Sequence, residues 1–508
     1  MPRRVLPSDP TVNETLATNL WARALVYSAA RMDLSLKSAA LVVVEPFQEP
    51  VPPGRAVVNF ACARLPAVLE SSAPAMAYGR FSIFACDPVE TFRLGRSDRR
   101  CPFQALAERT AGYPATAAPQ ADLPFAGGWI GYFTYESGLG TERLVPTTQW
   151  PAGLPLAHFH LYDAAAVFDH QSGTWLLVAV DWPKPLASRR PTVAMRLALL
   201  RDRLLLKPVL GTEERGEDPV VSPPEPNLSA AQYRAAVEQA KRYIEAGDIY
   251  QVNVTQRYTA RTQASPVALY RRLRQVSPSS HAAFLPWGRH AVLSSSPELF
   301  LELRGGQVVT RPIKGTRPRG SNAASDAAQR RTLAESEKDR AELAMIIDLL
   351  RNDLGRVCSY GSIRVERAWE IEAHPTVFHQ VATIRGALEP GRNWMHLLLA
   401  AFPGGSITGA PKIRAMQIID ELEPTARGVY CGSIGIIGLD GSLSLNVAIR
   451  TMVQADGLVH IHTGGAIVAD STADEEYEEC LAKAAGMLRA VGCSAPRTDE
   501  APVEVTSP

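Results

Sequence analysis

Residues 432–468, GSIGIIGLDGSLSLNVAIRTMVQADGLVHIHTGGAIV, alternate β-rich apolar runs with the turn pairs Asp440-Gly441 and Asp456-Gly457. Asp-Gly between apolar runs marks a tight reversal, because glycine takes the left-handed angles that such turns demand. Three strands are therefore expected here. The next stretch, from about Ala473 to Val491, places Tyr477, Leu481, Ala484, Leu488 and Val491 on one face at helical spacing. Strands that meander, followed by a segregated helix, read as α+β and not as a doubly wound parallel sheet.

The same mixture extends upstream. Residues 164–181, AAAVFDHQSGTWLLVAVD, form two β-rich runs around a polar turn at Gly173, and residues 291–316 reverse at Gly305-Gly306. Ser229 with Gln232 three residues on is a capping box. It opens a helix carrying Tyr233, Val237, Ala240 and Ile244, which Gly247 ends. Another helix is expected over about Thr332–Asn352. Residues 1–60 read as an amino-terminal extension with a helix-like stretch at Trp21–Met32, a strand at LVVVEPF and a Pro-rich connector. The segment 207–228, KPVLGTEERGEDPVVSPPEPNL, is rich in proline without periodicity and reads as a linker. It divides an amino-terminal subdomain (61–206) from a larger domain (229–494), and 495–508 forms a polar tail.

The 508 residues carry 53 basic and 52 acidic side chains, a net charge of +1, so no global field favours nucleic acid or an anionic membrane. An anionic ligand must be held by a local site. Seven scattered cysteines contain no CxxC pair, which speaks against a zinc site or a disulfide framework. The first residues, MPRRVLPSDPTVNET, lack the apolar stretch of a signal peptide, and no run approaches the ~18 apolar residues of a membrane span. A cytoplasmic location with reduced thiols is the expectation.

Asp339 and Glu342 are three residues apart on one predicted helix, and Glu476 and Glu479 are three apart on another. Two such carboxylate pairs have the hard oxygen ligands that Mg²⁺ takes, or they are solvated helix faces. PGGSITGAPK (403–412) lacks the Walker spacing, so it is a backbone nest for an anion or a plain helix-entry loop. The run His462-Thr463-Gly464-Gly465-Ala466, near Arg450, is a second place where amides could hold a carboxylate. Lys314, in RPIKGTRPRG, is either an edge-strand lysine or an enclosed amine whose pKa falls on burial. His379, in HPTVFHQVATIRG, is either a packing residue or a proton handler.

Ordered blocks of this chain resemble the chorismate-utilising enzymes. These are DIYQVNVTQRY, SSSPELFLEL, PIKGTRPRG, AELAMIIDLLRNDLGRV, AFPGGSITGAPKIRAMQIIDELEP, YCGSIG and TGGAIVADSTADEEYEE. YGRFSIFACDP and GGWIGYFTYESG extend the likeness, more loosely, into residues 60–200. The resemblance implies a layered α/β sandwich of two intertwined antiparallel sheets flanked by helices, with the site between the sheets. It implies Glu342 and Glu479 as Mg²⁺ ligands, with Asp339 and Glu476 behind them. Gly315, Thr316, Tyr430, Arg450 and the Gly464, Gly465 and Ala466 amides would cradle chorismate, with Thr408 nearby. Glu298 resembles the acid that helps the C4 hydroxyl leave, and His379 a second proton handler. Ala466 departs from the glycine of many members, which leaves the N–H in place if the backbone angle suits alanine.

Within the family, members that add water to the ring carry a lysine where this chain has Gln251, which argues against the isochorismate and salicylate branches. Anthranilate-forming members usually carry alanine at the position of Lys314. Lysine there resembles the aminodeoxychorismate branch, which makes 4-amino-4-deoxychorismate for para-aminobenzoate and folate synthesis. The anthranilate branch is the alternative. None of the cysteines has the setting of a glutaminase nucleophile, so ammonia is expected from a separate glutamine amidotransferase subunit. Leu69-Glu70-Ser71 with Tyr78, Arg80 and Phe81 resembles the family's tryptophan pocket. Ser280-His281-Ala282 departs from the feedback-inhibited pattern, which speaks against regulation by tryptophan.

Overall fold

The computed structural model of the chain describes residues 39–73, 79–117, 122–140, 144, 148, 153–207 and 222–493. The Trp21–Met32 stretch, Tyr78, most of the Pro-rich segment and the tail from 494 onward lie outside the described residues.

Two sheets dominate, one of thirteen strands and one of ten among the described residues. Among the described residues every strand pairing is antiparallel except that of Ala40–Phe47 with Thr116–Ala117. The α+β expectation holds, and the intertwining is visible in the pairings. Ala67–Glu70 pairs with His281–Trp287 in the first sheet, and Gly128–Phe133 pairs with Ser433–Gly438 in the second. Strands from both sides of the Pro-rich segment thus share each sheet. The strand Ala40–Phe47 lies within the first sheet, hydrogen-bonded along Thr174–Asp181, and Pro53 opens a helix where a connector was expected. Proline at the first helical position sacrifices no helical hydrogen bond, so a Pro-rich string can read as a loop and still begin a helix.

Apolar residues from both sheets meet between them: Ile83, Ala165 and Trp287 from one, Ile130, Tyr132 and Ile434 from the other. The helices Ala230–Glu245 and Ala473–Ala490 pack on the first sheet against the strand Leu458–Ile467, and Pro266–Val276 packs against His281–Trp287 and His290–Ser296. Ser229 caps the first of these in the expected capping box with Gln232. No helix among the described residues is long and apolar enough to cross a membrane.

Two expectations need correction. Residues 432–468 form four strands, not three: Ser433–Gly438 and Leu443–Asn446 in the second sheet, Thr451–Ala455 and Leu458–Ile467 in the first. The chain changes sheets between 447 and 450, where Arg450 takes a left-handed φ of 48°. Both expected turns are present, with Gly441 and Gly457 at positive φ. The helix expected over 332–352 is two, Ala323–Glu335 and Glu337–Gly355. Ser336 separates them by leaving the helical region and accepting the Asp339 N–H, which caps the second helix.

Candidate active site

The strand Ile313–Pro318 runs antiparallel to Val377–Ala387, and its register slips between Ile313 and Thr316. Gly315 supplies the left-handed angle for that irregularity, at φ 81°. A Cβ at Gly315 would stand 2.9 Å from Asp339 Cγ, so the helix Glu337–Gly355 rests directly on it. This close approach sets Lys314 against Glu342, whose Oε2 lies 4.0 Å from the lysine Nζ. Burial holds the Lys314 amine below its usual pKa, against the opposing pull of the Glu342, Glu298 and Glu479 carboxylates; the Lys483 charge adds to the lowering.

Glu298 is 4% exposed, at the junction between the strands His290–Ser296 and Leu299–Arg304. Burial pushes its pKa up to about 7, although Ser406, the Lys314 charge and the Ile313 N–H favour the carboxylate. The Ser406 hydroxyl donates to Glu298 Oε1 at 2.6 Å. His379 shares a 2.8 Å hydrogen bond with Thr316 Oγ1 through Nδ1, while its Nε2 is buried without a partner among the described residues. Burial, with Arg450 and His374 close by, holds this imidazole well below its ordinary pKa.

Gly464, Gly465 and Ala466 lie on Leu458–Ile467 opposite Thr255, Val254 and Asn253. Ala466 sits in this strand without a positive φ, which answers the question raised by its departure from glycine. A Cβ at Gly465 would meet Glu476 Oε2 at 2.9 Å. Tyr430 stacks on His462, with ring centroids 5.4 Å apart and planes at 11°. The Arg450 carbonyl accepts the Ser295 N–H at 3.0 Å, its guanidinium makes no hydrogen bond or ion pair among the described residues, and burial alone lowers its pKa. The Thr408 hydroxyl turns back onto the Gly404 carbonyl at 3.0 Å.

The carboxylate pairs face one another in part. Glu342 has its pKa raised by burial and by the charges of Asp339 and Glu479. Glu479 is lowered, chiefly by Lys483 at 2.5 Å. Glu476 takes the Ser471 hydroxyl at 2.6 Å on one oxygen, and its other oxygen is buried without a partner among the described residues. No three His, Cys, Asp or Glu side chains among the described residues converge as a ready metal site. The donor chemistry nevertheless suits a hard dication: every candidate ligand is a carboxylate oxygen, and the orphaned Glu476 oxygen faces Gly465 beside Glu479.

Ser71, Arg80 and Phe81 gather elsewhere, on the first sheet. The Ser71 N–H donates to Ser82 Oγ at 3.0 Å, and its own hydroxyl is buried without a partner among the described residues. Arg80 donates to Asp169 at 2.8 Å and to Asp122 at 2.7 Å, with its guanidinium over the Phe81 ring. That arginine is committed to carboxylates of its own chain. Two contributors were not singled out from the sequence: Ser406, inside the loop 403–412, and Lys483, one helical turn after Glu479.

Fold and site together define a class: a two-sheet α+β protein whose sheets share strands from both halves of the chain, with an amine, carboxylates and glycine-rich backbone gathered in one place. The profile described as "chorismate binding enzyme" matches residues 67–489, and the chain belongs to that family. It is 40% identical over 423 residues to anthranilate synthase component 1 of Thermus thermophilus, covering 81% of this chain and 89% of the relative. It is 37% identical over 418 residues to aminodeoxychorismate synthase component 1 of Salmonella typhimurium, covering 80% and 88%. The crystal structure of anthranilate synthase component I from Streptococcus pneumoniae superposes with a TM-score of 0.70 at 33% identity, over 80% of this chain and 92% of that one.

Proposed function

We propose that this chain is the chorismate-converting component of an aminodeoxychorismate synthase. The observation that carries this reading is the Lys314 amine, enclosed beside Glu298 and Glu342 with its pKa lowered by burial. A neutral amine is a nucleophile and an ammonium is not, so enclosure is the chemical requirement for attack. Lys314 attacks C2 of chorismate while the C4 hydroxyl departs as water, taking a proton from Glu298. Ammonia then adds at C4 and expels the lysine, and the new C4 ammonium returns a proton to Glu298. Chorismate plus ammonia thus gives 4-amino-4-deoxychorismate plus water, with Lys314 and Glu298 restored.

Arg450 and the Gly464–Ala466 amides hold the substrate carboxylates, and Tyr430, held flat against His462, forms a wall of the site. His379 presents an unpartnered Nε2 as a second proton handler. Glu342 and Glu479, backed by Asp339 and Glu476, would hold Mg²⁺, which when bound neutralises the ring carboxylate. The ammonia comes from a separate glutamine amidotransferase subunit, a reading supported by the "component 1" in the relatives' names.

The anthranilate reading is favoured by the Thermus thermophilus relative of that name. Chorismate, ammonium and Mg²⁺ incubated with the chain, followed by product separation, decide between them. A 4-amino product that keeps its enolpyruvyl group is expected. Anthranilate with pyruvate as the main products would sink the proposal.

A further inference from the structure

One edge of the strand Gln251–Arg261 lies along Leu458–Ile467; the other pairs with Gly409–Ala410 at Gln251 and Val252 and with Glu225–Pro226 at Tyr258 and Thr259, which leaves Asn253–Arg257 between them without a strand partner among the described residues. Side chains complete that second edge. Glu423 Oε1 accepts the Thr255 N–H at 3.0 Å and the Thr255 hydroxyl at 2.8 Å. Arg427 donates to the Asn253 carbonyl at 2.9 Å. Glu423 and Arg427 are paired with each other at 2.6 and 2.9 Å, and their side chains are 4% and 1% exposed. A guanidinium and a carboxylate locked this way present one donor and one acceptor in fixed relation, as a neighbouring strand would.

Arg427 has a further contact. Its Nη1 donates to the Ile407 carbonyl at 2.8 Å, in the short 3-10 turn Gly405–Ile407. Asn253 grips the same turn, donating from its side chain to the Ser406 carbonyl at 3.1 Å and from its backbone to the Thr408 carbonyl at 2.8 Å. Ser406 projects from this turn onto Glu298. One buried pair therefore ties the strand beside Gly464–Ala466 to the turn that hydrogen-bonds the candidate acid.

We propose that Arg427, locked by Glu423, is a positioning residue that holds Ser406 on Glu298 and fixes that acid relative to the Gly464–Ala466 strand. This rests on the reading of Glu298 as the group that protonates the departing hydroxyl. The groups facing Glu298 are Ser406 Oγ, the Ile313 N–H and the Lys314 amine, and only the first is attached to the clamp.

The test is the pH dependence of kcat/KM for chorismate consumption with ammonium, in the full chain. Glu298 acts in its protonated form, so activity falls as pH rises through its pKa. Ser406→Ala removes a hydrogen bond to the carboxylate and moves that basic limb up by about 0.5–1 pH unit. Arg427→Lys, which keeps the charge and loses the fork, is expected to move it the same way. The double variant is expected to move it no further than Ser406→Ala alone. A limb unmoved in Arg427→Lys, or two shifts that add, would overturn the proposal. Glu423→Gln preserves shape and carries the same expectation if Arg427→Lys fails to fold, and an unmoved limb there also overturns it. Consumption is measured whichever amino isomer forms, so a 2-amino product would fault the proposed function and leave this test standing.

Discussion

At Lys314 a single side chain carries the branch assignment. Lys314→Ala is expected to abolish the lysine–C2 adduct seen by mass spectrometry and to lower turnover at limiting ammonia by at least tenfold; undiminished turnover there would show that the lysine is not the nucleophile. Glu136 offers a pH test away from the chemistry. It is buried, one oxygen accepts the Gly428 N–H at 3.1 Å, the other has no partner among the described residues, and burial pushes its pKa up to about 7. A carboxyl raised above its unfolded value of 4.5 is harmless below that pH and increasingly destabilising as pH climbs toward 7. Glu136→Gln should therefore gain up to about 3 kcal/mol relative to wild type between pH 5 and pH 8 in denaturant melts. An unchanged difference across that range would mean that the group does not titrate there. The identities of Lys314, Glu298 and His379 were legible in the sequence. Their states were not, because a pKa is set by what surrounds a group and not by its neighbours in the chain.

The elements show which local signals suffice. The capping box at Ser229 was readable because it uses residues three apart, and it forms as expected. Ser229→Ala should cost about 1 kcal/mol in an unfolding titration, and a loss below a few tenths would mean that the cap is idle. Ser336 and Asp339 have the same spacing, yet the helix was read straight through them. Helical periodicity on both sides masked the cap, since a one-residue break scarcely disturbs the pattern. The change of sheet near Arg450 was hidden for a related reason: strands in one sheet or two have the same alternation. At Gly465 the crowding is explicit. Gly465→Ala puts a methyl 2.9 Å from Glu476 Oε2, and should raise the KM for chorismate several-fold while the melting temperature changes little. An unaltered KM would remove that strand from the substrate cradle.

Over the whole molecule, the interleaving of strands governs how it folds. Residues before 207 and after 222 complete each other's sheets and share one apolar cluster. Thermal unfolding should accordingly be a single cooperative transition, and residues 39–207 expressed alone should not give a dispersed NMR spectrum. Two separable transitions would show that the halves are energetically independent. The Pro-rich composition around 207–228 resembles that of a domain linker. Strand pairing across it is a long-range matter that composition cannot record.

The sequence by itself determined the α+β class, the capped helix after Ser229 and the last long helix, the family blocks and the choice of candidate site residues. The class and the elements rest on short-range periodicity, capping and turn chemistry, which the chain carries locally; the candidate site residues rest on the resemblance of their blocks to the family. The tertiary structure decided which sheet each strand joins, that Lys314 is enclosed beside Glu298 and Glu342, and that Glu423 and Arg427 stand in for a missing strand. Burial and pairing between residues more than a hundred apart, such as Ser406 and Glu298, come into being only when the chain has folded.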